Sequence, residues 1–225
     1  AGIRLEGARV LILGSGGTSL TARTLCEDEG AAGISIVSRS GELNYENVSR
    51  LRTDTEVIIN TTPVGTYPGN GESPIDPGLF PRLRAVADVI YNPRRTRLLM
   101  DAEELGLRTV SGLRMLIAQA VAAHELFFDK KAPEGVTEEI YRRLKNRLMN
   151  ICLIGMPGCG KTTVARELSR LCKKEFFDSD ACIEKEADMS IPDIFATYGE
   201  TYFRELETEA CNKLGAHTGT VIATG

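Results

Sequence analysis

The sequence predicts an α/β protein: a doubly wound parallel sheet, followed by a second, smaller α/β region built around a phosphate-binding loop. Three observations carry that prediction. Short apolar runs alternate with helical stretches along residues 8–128, the pattern of parallel strands joined by crossovers. A glycine-rich turn, GSGGTS at residues 14–19, follows the first apolar run. A second loop, GMPGCGKT at residues 155–162, follows another and fits G-x-x-x-x-G-K-[ST] at every position.

ARVLILG (8–14) reads as the first strand and TSLTARTLCEDEG (18–30) as a helix closed by Gly30, a residue type that commonly ends helices. GISIVS (33–38) and EVIIN (56–60) read as the second and third strands. Residues 63–82 are rich in Pro and Gly and are expected to be loop. VADVIYN (86–92) reads as the fourth strand, RRTRLLMDAEELG as a helix, LRTV (107–110) as the fifth strand, and a long helix is expected from about Leu113 to Phe128. The polar stretch 129–148, a Pro-Glu-Gly breaker and then an amphipathic helix, reads as a connector. NICLIG (150–155) opens a second β-α pattern, with VAREL…LCKK as its helix and EFFDSD as a strand end. IPDIFATYGETYFRELETEACNKL reads as a helical pair and VIATG as the start of another strand. The expected regions are therefore 1–131, a connector over 132–149, and 150–225.

With 225 residues the chain can form one large domain or two ordinary ones. Its 42% hydrophobic and 26% charged residues are those of a soluble globular protein. A net charge of -4 makes no electrostatic case for nucleic acid or an anionic membrane. No apolar run is long enough to span a bilayer, and the first residues lack the basic-then-apolar plan of a signal peptide. The six cysteines are scattered, with no C-x-x-C pair. Cys26, Cys152 and Cys172 lie in apolar segments and are expected to be small core residues, with all thiols reduced and the protein cytoplasmic. The chain opens without an initiator Met on a buried-strand pattern and closes on a turn glycine; both ends are expected to be cuts through a longer polypeptide.

Gly14, Gly16 and Ser19 follow a strand and open a helix. The spacing matches the dinucleotide fingerprint, with Ser in the third glycine place. The first Gly allows the tight turn, and the second lets the backbone approach a pyrophosphate at the helix N-terminus. The alternative is a plain strand-helix turn. At the end of the second strand stand Ser38, Arg39 and Ser40, with no carboxylate before Glu42. A guanidinium flanked by hydroxyls suits a ribose 2′-phosphate, so NADP is expected in preference to NAD.

GSGGTSLTA, SRS, NTTPVGTYP (60–68), VADVIYNPRRTRLL (86–99) and GLRMLIAQA (112–120) occur in the order found in shikimate dehydrogenases, and the first region resembles that family's Rossmann-like NADP-binding domain. The resemblance implies that Gly16, Gly17 and Thr18 face the pyrophosphate and Arg39 the 2′-phosphate, with Ser40 beside it. It implies that Asn60, Thr61 and Thr62 line the nicotinamide-ribose side, and that the Gly112 carbonyl and Met115 hold the nicotinamide. Tyr91 and Gln119 would reach the shikimate carboxylate and a ring hydroxyl; otherwise Tyr91 is a core aromatic and Gln119 the polar side of a helix. The chain has Leu43 and Asn44 where the family often has a second basic residue, and Leu20 where it often has Arg. The family's catalytic Lys and Asp lie in an N-terminal substrate domain, and no Lys occurs before Lys130.

In the second loop the backbone N–H groups of Gly158, Cys159, Gly160, Lys161 and Thr162 would cradle the β-phosphate of ATP, with Thr163 next in line. Lys161 would reach the β- and γ-phosphates and Thr162 would ligate Mg²⁺. Cys159 is expected to be only a small loop residue. FFDSD (176–180) places two carboxylates at a strand end, and SIPDIFATYGETYFRELE (190–207) follows. This run resembles shikimate kinase, a P-loop kinase. The resemblance implies that Asp180 accepts hydrogen bonds from shikimate hydroxyls and helps position or deprotonate the attacking one. Asp178 would act on Mg²⁺ through water, Arg204 would bind the shikimate carboxylate, Phe195 and Phe203 would wall the ring, and Gly225 would touch substrate. The alternatives are a helix N-cap for the two aspartates, a surface ion-pair ladder for Arg204, and plain core for the phenylalanines. The kinase domain is expected to be truncated, its lid and adenine loop lying beyond Gly225.

The function implied is a bifunctional shikimate-pathway enzyme, reducing 3-dehydroshikimate with NADPH and phosphorylating the resulting shikimate from ATP with Mg²⁺. The expected partners are these small molecules and the remaining parts of the parent chain. The alternatives are a non-catalytic nucleotide-binding or sensor module, or a quinate/shikimate dehydrogenase fused to a small-molecule kinase.

Overall fold

The computed structural model describes residues 2–51 and 53–225; Ala1, where the first expected region begins, lies outside the described residues. The chain divides into two compact units, Ala1–Tyr141 and Arg142–Gly225.

In the first unit five strands form one sheet: β1 (Arg9–Leu13), β2 (Gly33–Val37), β3 (Val57–Asn60), β4 (Ala85–Asp88) and β5 (Arg108–Ser111). All neighbouring pairs are parallel, in the order β2-β1-β3-β4-β5. The helices are α1 (Gly17–Asp28), α2 (Arg97–Glu104) and α3 (Leu113–Phe128). Strand side chains alternate between faces, and the two faces are covered separately. Leu11, Leu13, Ile58 and Val86 pack with Leu98, Leu99 and Ala102 of α2. Val10, Ile12, Val57 and Ile59 pack with Ala22 and Cys26 of α1. Helices on opposite faces make the sheet doubly wound, with its switch point between β1 and β3.

Among the described residues, only two of the four crossovers carry an α-helix. The β2–β3 and β3–β4 connections use single 3-10 turns, Val48–Leu51 and Pro77–Leu79. In the first of these, Asn44 Oδ1 accepts from the N–H groups of Glu46 and Asn47, and Asn47 Oδ1 accepts from Asn44 N. Such side-chain bonds compete with helix formation.

β4 stops at Asp88, short of the Asn92 expected from its apolar pattern. The cause is the Asp88 side chain, 2% exposed. Its Oδ1 accepts from Ile90 N at 3.0 Å and from Asn60 Nδ2 at 3.1 Å, drawing the chain out of the sheet. Its Oδ2 accepts from Thr96 Oγ1 at 2.7 Å. Thr96 is the N-cap of α2, its hydroxyl also accepting from Leu99 N. Burial pushes the Asp88 carboxyl above its ordinary pKa, against the pull of these three hydrogen bonds.

A further helix, α4 (Val136–Leu148), has acidic residues in its first turn and basic ones in its last, the arrangement that complements a helix dipole.

The second unit has β6 (Ile151–Leu153), β7 (Glu175–Asp178) and β8 (Thr220–Ala223), parallel and ordered β6-β8-β7. Its helices are α5 (Lys161–Cys172), α6 (Ser179–Ala187) and α7 (Ile191–Gly215). α7 is broken at Gly199, where φ is 80°, so the expected helical pair is two helices meeting at a glycine. α6 was not expected from the sequence; it begins directly on the strand end. Ala165, Val221 and Ala223 form one cluster, and Ile183, Ile194, Phe203 and Ala210 another.

Two of the three expected core cysteines are not core. Cys26 is buried, but Cys152 and Cys172 are exposed. Cys152 lies on edge strand β6, its side chain opposite to Ile151 and Leu153, which face the Ala165 cluster. Cys172 ends α5, outside the same cluster. Among the described residues no helix is long and apolar enough to cross a membrane.

Asp88→Ala leaves the Asn60 amide, the Ile90 N–H and the Thr96 hydroxyl without their acceptor. It is expected to lower stability by about 3 kcal/mol or more, measured as a shift in the urea midpoint. Because the folded-state pKa of Asp88 is raised, its contribution to stability falls as pH rises from the ordinary carboxylate range through the folded value. Asp88→Asn is expected to flatten that part of the pH–stability curve.

Candidate functional site

The first candidate site lies at the switch point, outside the carboxyl ends of β1 and β3. Gly14 leaves β1 with φ at 104° and donates its N–H to Val37 O. A Cβ there would lie 2.8 Å from Thr61 Oγ1, so the turn can press against the end of β3 only because the residue is glycine. In the third glycine place Ser19 is buried, and its hydroxyl donates to Gly16 O at 2.6 Å. Gly16, Gly17 and Thr18 stand exposed at the start of α1, where first-turn N–H groups have no intrahelical acceptor.

Gly14, Ser15, Gly16, Ser38, Arg39, Thr61 and Thr62 line one pocket of about 670 Å³. It combines a helix N-terminus with a guanidinium, in a volume suited to a nucleotide-sized ligand. Ser40, beside Arg39, is exposed and is not among its lining residues. The sequence reasoning missed Tyr45, which lines the same pocket. A second cleft, about 460 Å³, shares Thr61, Thr62 and Pro63 with the first and adds Tyr91 and Asn92.

Asn60 is not on the wall of either cleft. It is 0% exposed, its amide donating to Asp88 and its Oδ1 accepting from the N–H and hydroxyl of Thr62. It positions Thr62 from behind. Nothing in the NTTP motif alone separates that role from ligand contact; the signal was Asp88, a carboxylate inside an apolar strand. Gly112 N donates to Ile90 O at 2.9 Å, and a Cβ on Gly112 would lie 1.8 Å from Val89 O. The Gly112 carbonyl accepts from Leu116 N, as the first bond of α3. Met115, 47% exposed, and Gln119 project from α3 and line neither cleft.

The second candidate site is at the carboxyl end of the smaller sheet. Gly158 and Gly160 have φ of 73° and 90°, conformations that glycine adopts without strain. They turn the loop so that Lys161, Thr162 and Thr163 form the first turn of α5, again with free N–H groups. Cys159 is exposed, and its Sγ would lie 3.1 Å from a Cβ on Gly155. Lys161 Nζ donates to the loop's own carbonyls at Gly155 and Met156, at 2.8 and 2.9 Å.

Thr162 Oγ1 donates to Asp178 Oδ2 at 2.8 Å. A hydroxyl and a carboxylate so placed are hard oxygen donors of the kind that hold Mg²⁺. Asp178 is also the N-cap of α6, its Oδ1 accepting from the N–H groups of Asp180 and Ala181; the capping alternative is realised together with the Thr162 contact. Asp180 Oδ1 is buried without a hydrogen-bond partner among the described residues. A Cβ on Gly225 would fall on that oxygen, and Gly225 N donates to Ser179 Oγ. Burial pushes the Asp180 carboxyl up, helped by the charges of Asp178 and Glu207 and opposed by Lys161. Asp178, Asp180, Lys161 and Gly225 are thus brought together.

Arg204 is engaged in the ion-pair ladder, with Glu207 at 2.7 Å and Glu200 at 3.1 Å. Phe203 is core, 5% exposed, and Phe195 lies against it at 4.5 Å between ring centres, 38% exposed.

Asp178→Ala removes the α6 cap and the acceptor of Thr162 together. It is expected to cost about 1–2 kcal/mol locally, seen as faster amide exchange across α6. Thr162→Val, which leaves the cap intact, is expected to change that exchange little.

Comparison with known proteins follows the same division. The family model for shikimate kinase matches residues 157–225. A shikimate dehydrogenase (NADP(+)) of Clostridium perfringens is 33% identical over 159 residues, covering 65% of this chain and 59% of that protein. A shikimate kinase of Clostridium botulinum is 53% identical over 76 residues, covering 34% of this chain and 45% of that protein. Among solved structures, a chorismate mutase/shikimate 5-dehydrogenase fusion protein from Clostridium acetobutylicum matches with a TM-score of 0.59 at 34% identity, over 64% of this chain and 56% of that one. The chain spans about half the length of the relatives it matches. It carries a shikimate dehydrogenase-like segment followed by a shikimate kinase-like segment, the order of a dehydrogenase/kinase fusion.

Proposed function

We propose that the chain is part of a cytoplasmic enzyme with two successive activities on one small molecule. Region 1–131 belongs to a dehydrogenase that reduces 3-dehydroshikimate to shikimate, 132–149 connects, and 150–225 belongs to a kinase that converts shikimate to shikimate 3-phosphate. One observation carries the proposal. Each unit presents a phosphate-type loop at the carboxyl edge of a parallel sheet, the first beside Ser38, Arg39, Thr61 and Thr62 and the second beside Asp178 and Asp180. The half-coverage of the relatives agrees with the rest of each catalytic apparatus lying on further segments of a parent chain.

When bound, NADPH supplies the hydride and ATP with Mg²⁺ the phosphoryl group. In the first unit the N–H groups at Gly16, Gly17 and Thr18 hold the pyrophosphate, and Ser38 and Arg39 hold the 2′-phosphate. Thr61 and Thr62 form the wall shared by the cofactor and substrate clefts, with Tyr91 orienting the substrate carboxylate. In the second unit Lys161 exchanges its loop carbonyls for phosphate oxygens, and Thr162 and Asp178 hold the cation. Asp180, with a raised pKa and an unpartnered oxygen, accepts the hydrogen of the attacking hydroxyl. Arg204 binds the substrate carboxylate by exchanging one of its glutamates.

A second reading, a nucleotide-binding unit without turnover, is favoured for the kinase half by the double pairing of Arg204 with Glu200 and Glu207. Two assays on the full-length parent separate the readings: shikimate-dependent NADP⁺ reduction and shikimate-dependent ADP release. Both activities are expected; absence of both would remove the enzyme reading, and absence of ADP release alone would leave the second reading for the kinase half. In the 225-residue chain, Arg39→Ala is expected to weaken NADPH binding about tenfold or more while leaving NADH unchanged. An unaltered ratio by calorimetry would mean that the phosphate is bound elsewhere.

A further inference from the structure

Among the described residues lining the 670 Å³ pocket, Arg39 is the one cation. A phosphate monoester carries nearly two negative charges at neutral pH, so a single guanidinium leaves charge and acceptor oxygens uncompensated. The lining also includes Tyr45. Its ring packs partly buried against the core cluster around Leu11 and Val37. The backbone on both sides of it is fixed by the Asn44 and Asn47 side-chain bonds. The Tyr45 hydroxyl has no hydrogen-bond partner among the described residues, and its phenol lies within the electrostatic reach of Arg39. A phenol of ordinary pKa is already a protonated donor at neutral pH, and burial pushes this one further up.

We propose that Tyr45 is a specificity-determining residue of this pocket, its O–H donating to the 2′-phosphate of the bound dinucleotide alongside Arg39 and Ser38. The inference rests on the assignment of the pocket to NADP and adds a donor to it. Tyr45 is preorganised: the ring is already held by the core and the flanking turn, so little freedom is lost on binding. A hydrogen bond from a neutral donor to a charged acceptor is stronger than one between neutral groups, so its loss should be felt by the phosphorylated ribose alone.

The test is calorimetric titration of the intact chain with NADPH, NADH, adenosine 2′,5′-bisphosphate and AMP, for the native protein, Tyr45→Phe and Arg39→Ala. Tyr45→Phe keeps the ring and its packing. It is expected to weaken NADPH and adenosine 2′,5′-bisphosphate about tenfold and to leave NADH and AMP unchanged. If Tyr45→Phe binds all four like the native protein while Arg39→Ala loses its preference for NADPH, the Tyr45 role is overturned and the NADP pocket stands. Equal weakening of NADPH and NADH by Tyr45→Phe also overturns it. If the native protein does not distinguish NADPH from NADH and Arg39→Ala changes nothing, the pocket assignment fails and the Tyr45 role falls with it.

Discussion

The first unit is organised around one buried carboxylate. Asp88 takes hydrogen bonds from Asn60 of β3, from Ile90 of the segment leaving β4, and from Thr96 at the start of α2. A charge-bearing group at this depth is costly unless its oxygens are satisfied, and here each partner is fixed by a different element. The consequences spread outward. The strand ends where the carboxylate captures Ile90, α2 begins where Thr96 is held, and Asn60 is oriented so that its carbonyl oxygen fixes Thr62. Thr62 in turn forms part of the wall between the two clefts. NTTPVG and YNPRRT, far apart in sequence, thus meet in one network whose members lose more together than singly.

The second unit solves a similar problem with a carboxylate at a strand end that is also a helix cap. Asp178 joins β7, the first turn of α6 and the Thr162 hydroxyl. Its neighbour Asp180 has a buried oxygen with no hydrogen-bond partner among the described residues. Lys161 meanwhile holds the loop's own carbonyls.

The sheet was legible because its strands are apolar almost throughout; Val57–Asn60 is wholly buried, and both phosphate-type loops sit where strand meets helix. What escaped was polar and local. α6 follows β7 without an intervening loop, so Asp178 is at once a strand end and a cap, and the run SDACIEKEA offers little apolar periodicity. Thr96 gives no sign in the sequence of its buried place, because burial is a property of the assembled sheet. The β2–β3 crossover is shaped by side-chain bonds of Asn44 and Asn47 that spacing does not reveal, whereas the Pro- and Gly-rich β3–β4 connection was expected to be loop. Cys152 escaped because an apolar run does not show which of its faces is covered. Of the site residues, Gly14, Gly16, Ser38, Arg39, Thr61 and Thr62 converge on one pocket, Gly17 and Thr18 are not among its lining residues, Asn60 supports it from behind and Arg204 is held by glutamates.

Gly112 rests against the carbonyl of Val89, where a β-carbon would fall 1.8 Å from the oxygen. Every codon change away from glycine adds that carbon, so drift at this position has no gentle first step. Any substitution must move either the chain leaving β4 or the start of α3, and loosen the Gly112–Ile90 bond between them. Met115 and Gln119 ride on α3, so such a change would displace both at once. A defect arising here would look like damage to two exposed side chains of α3, although neither had been altered.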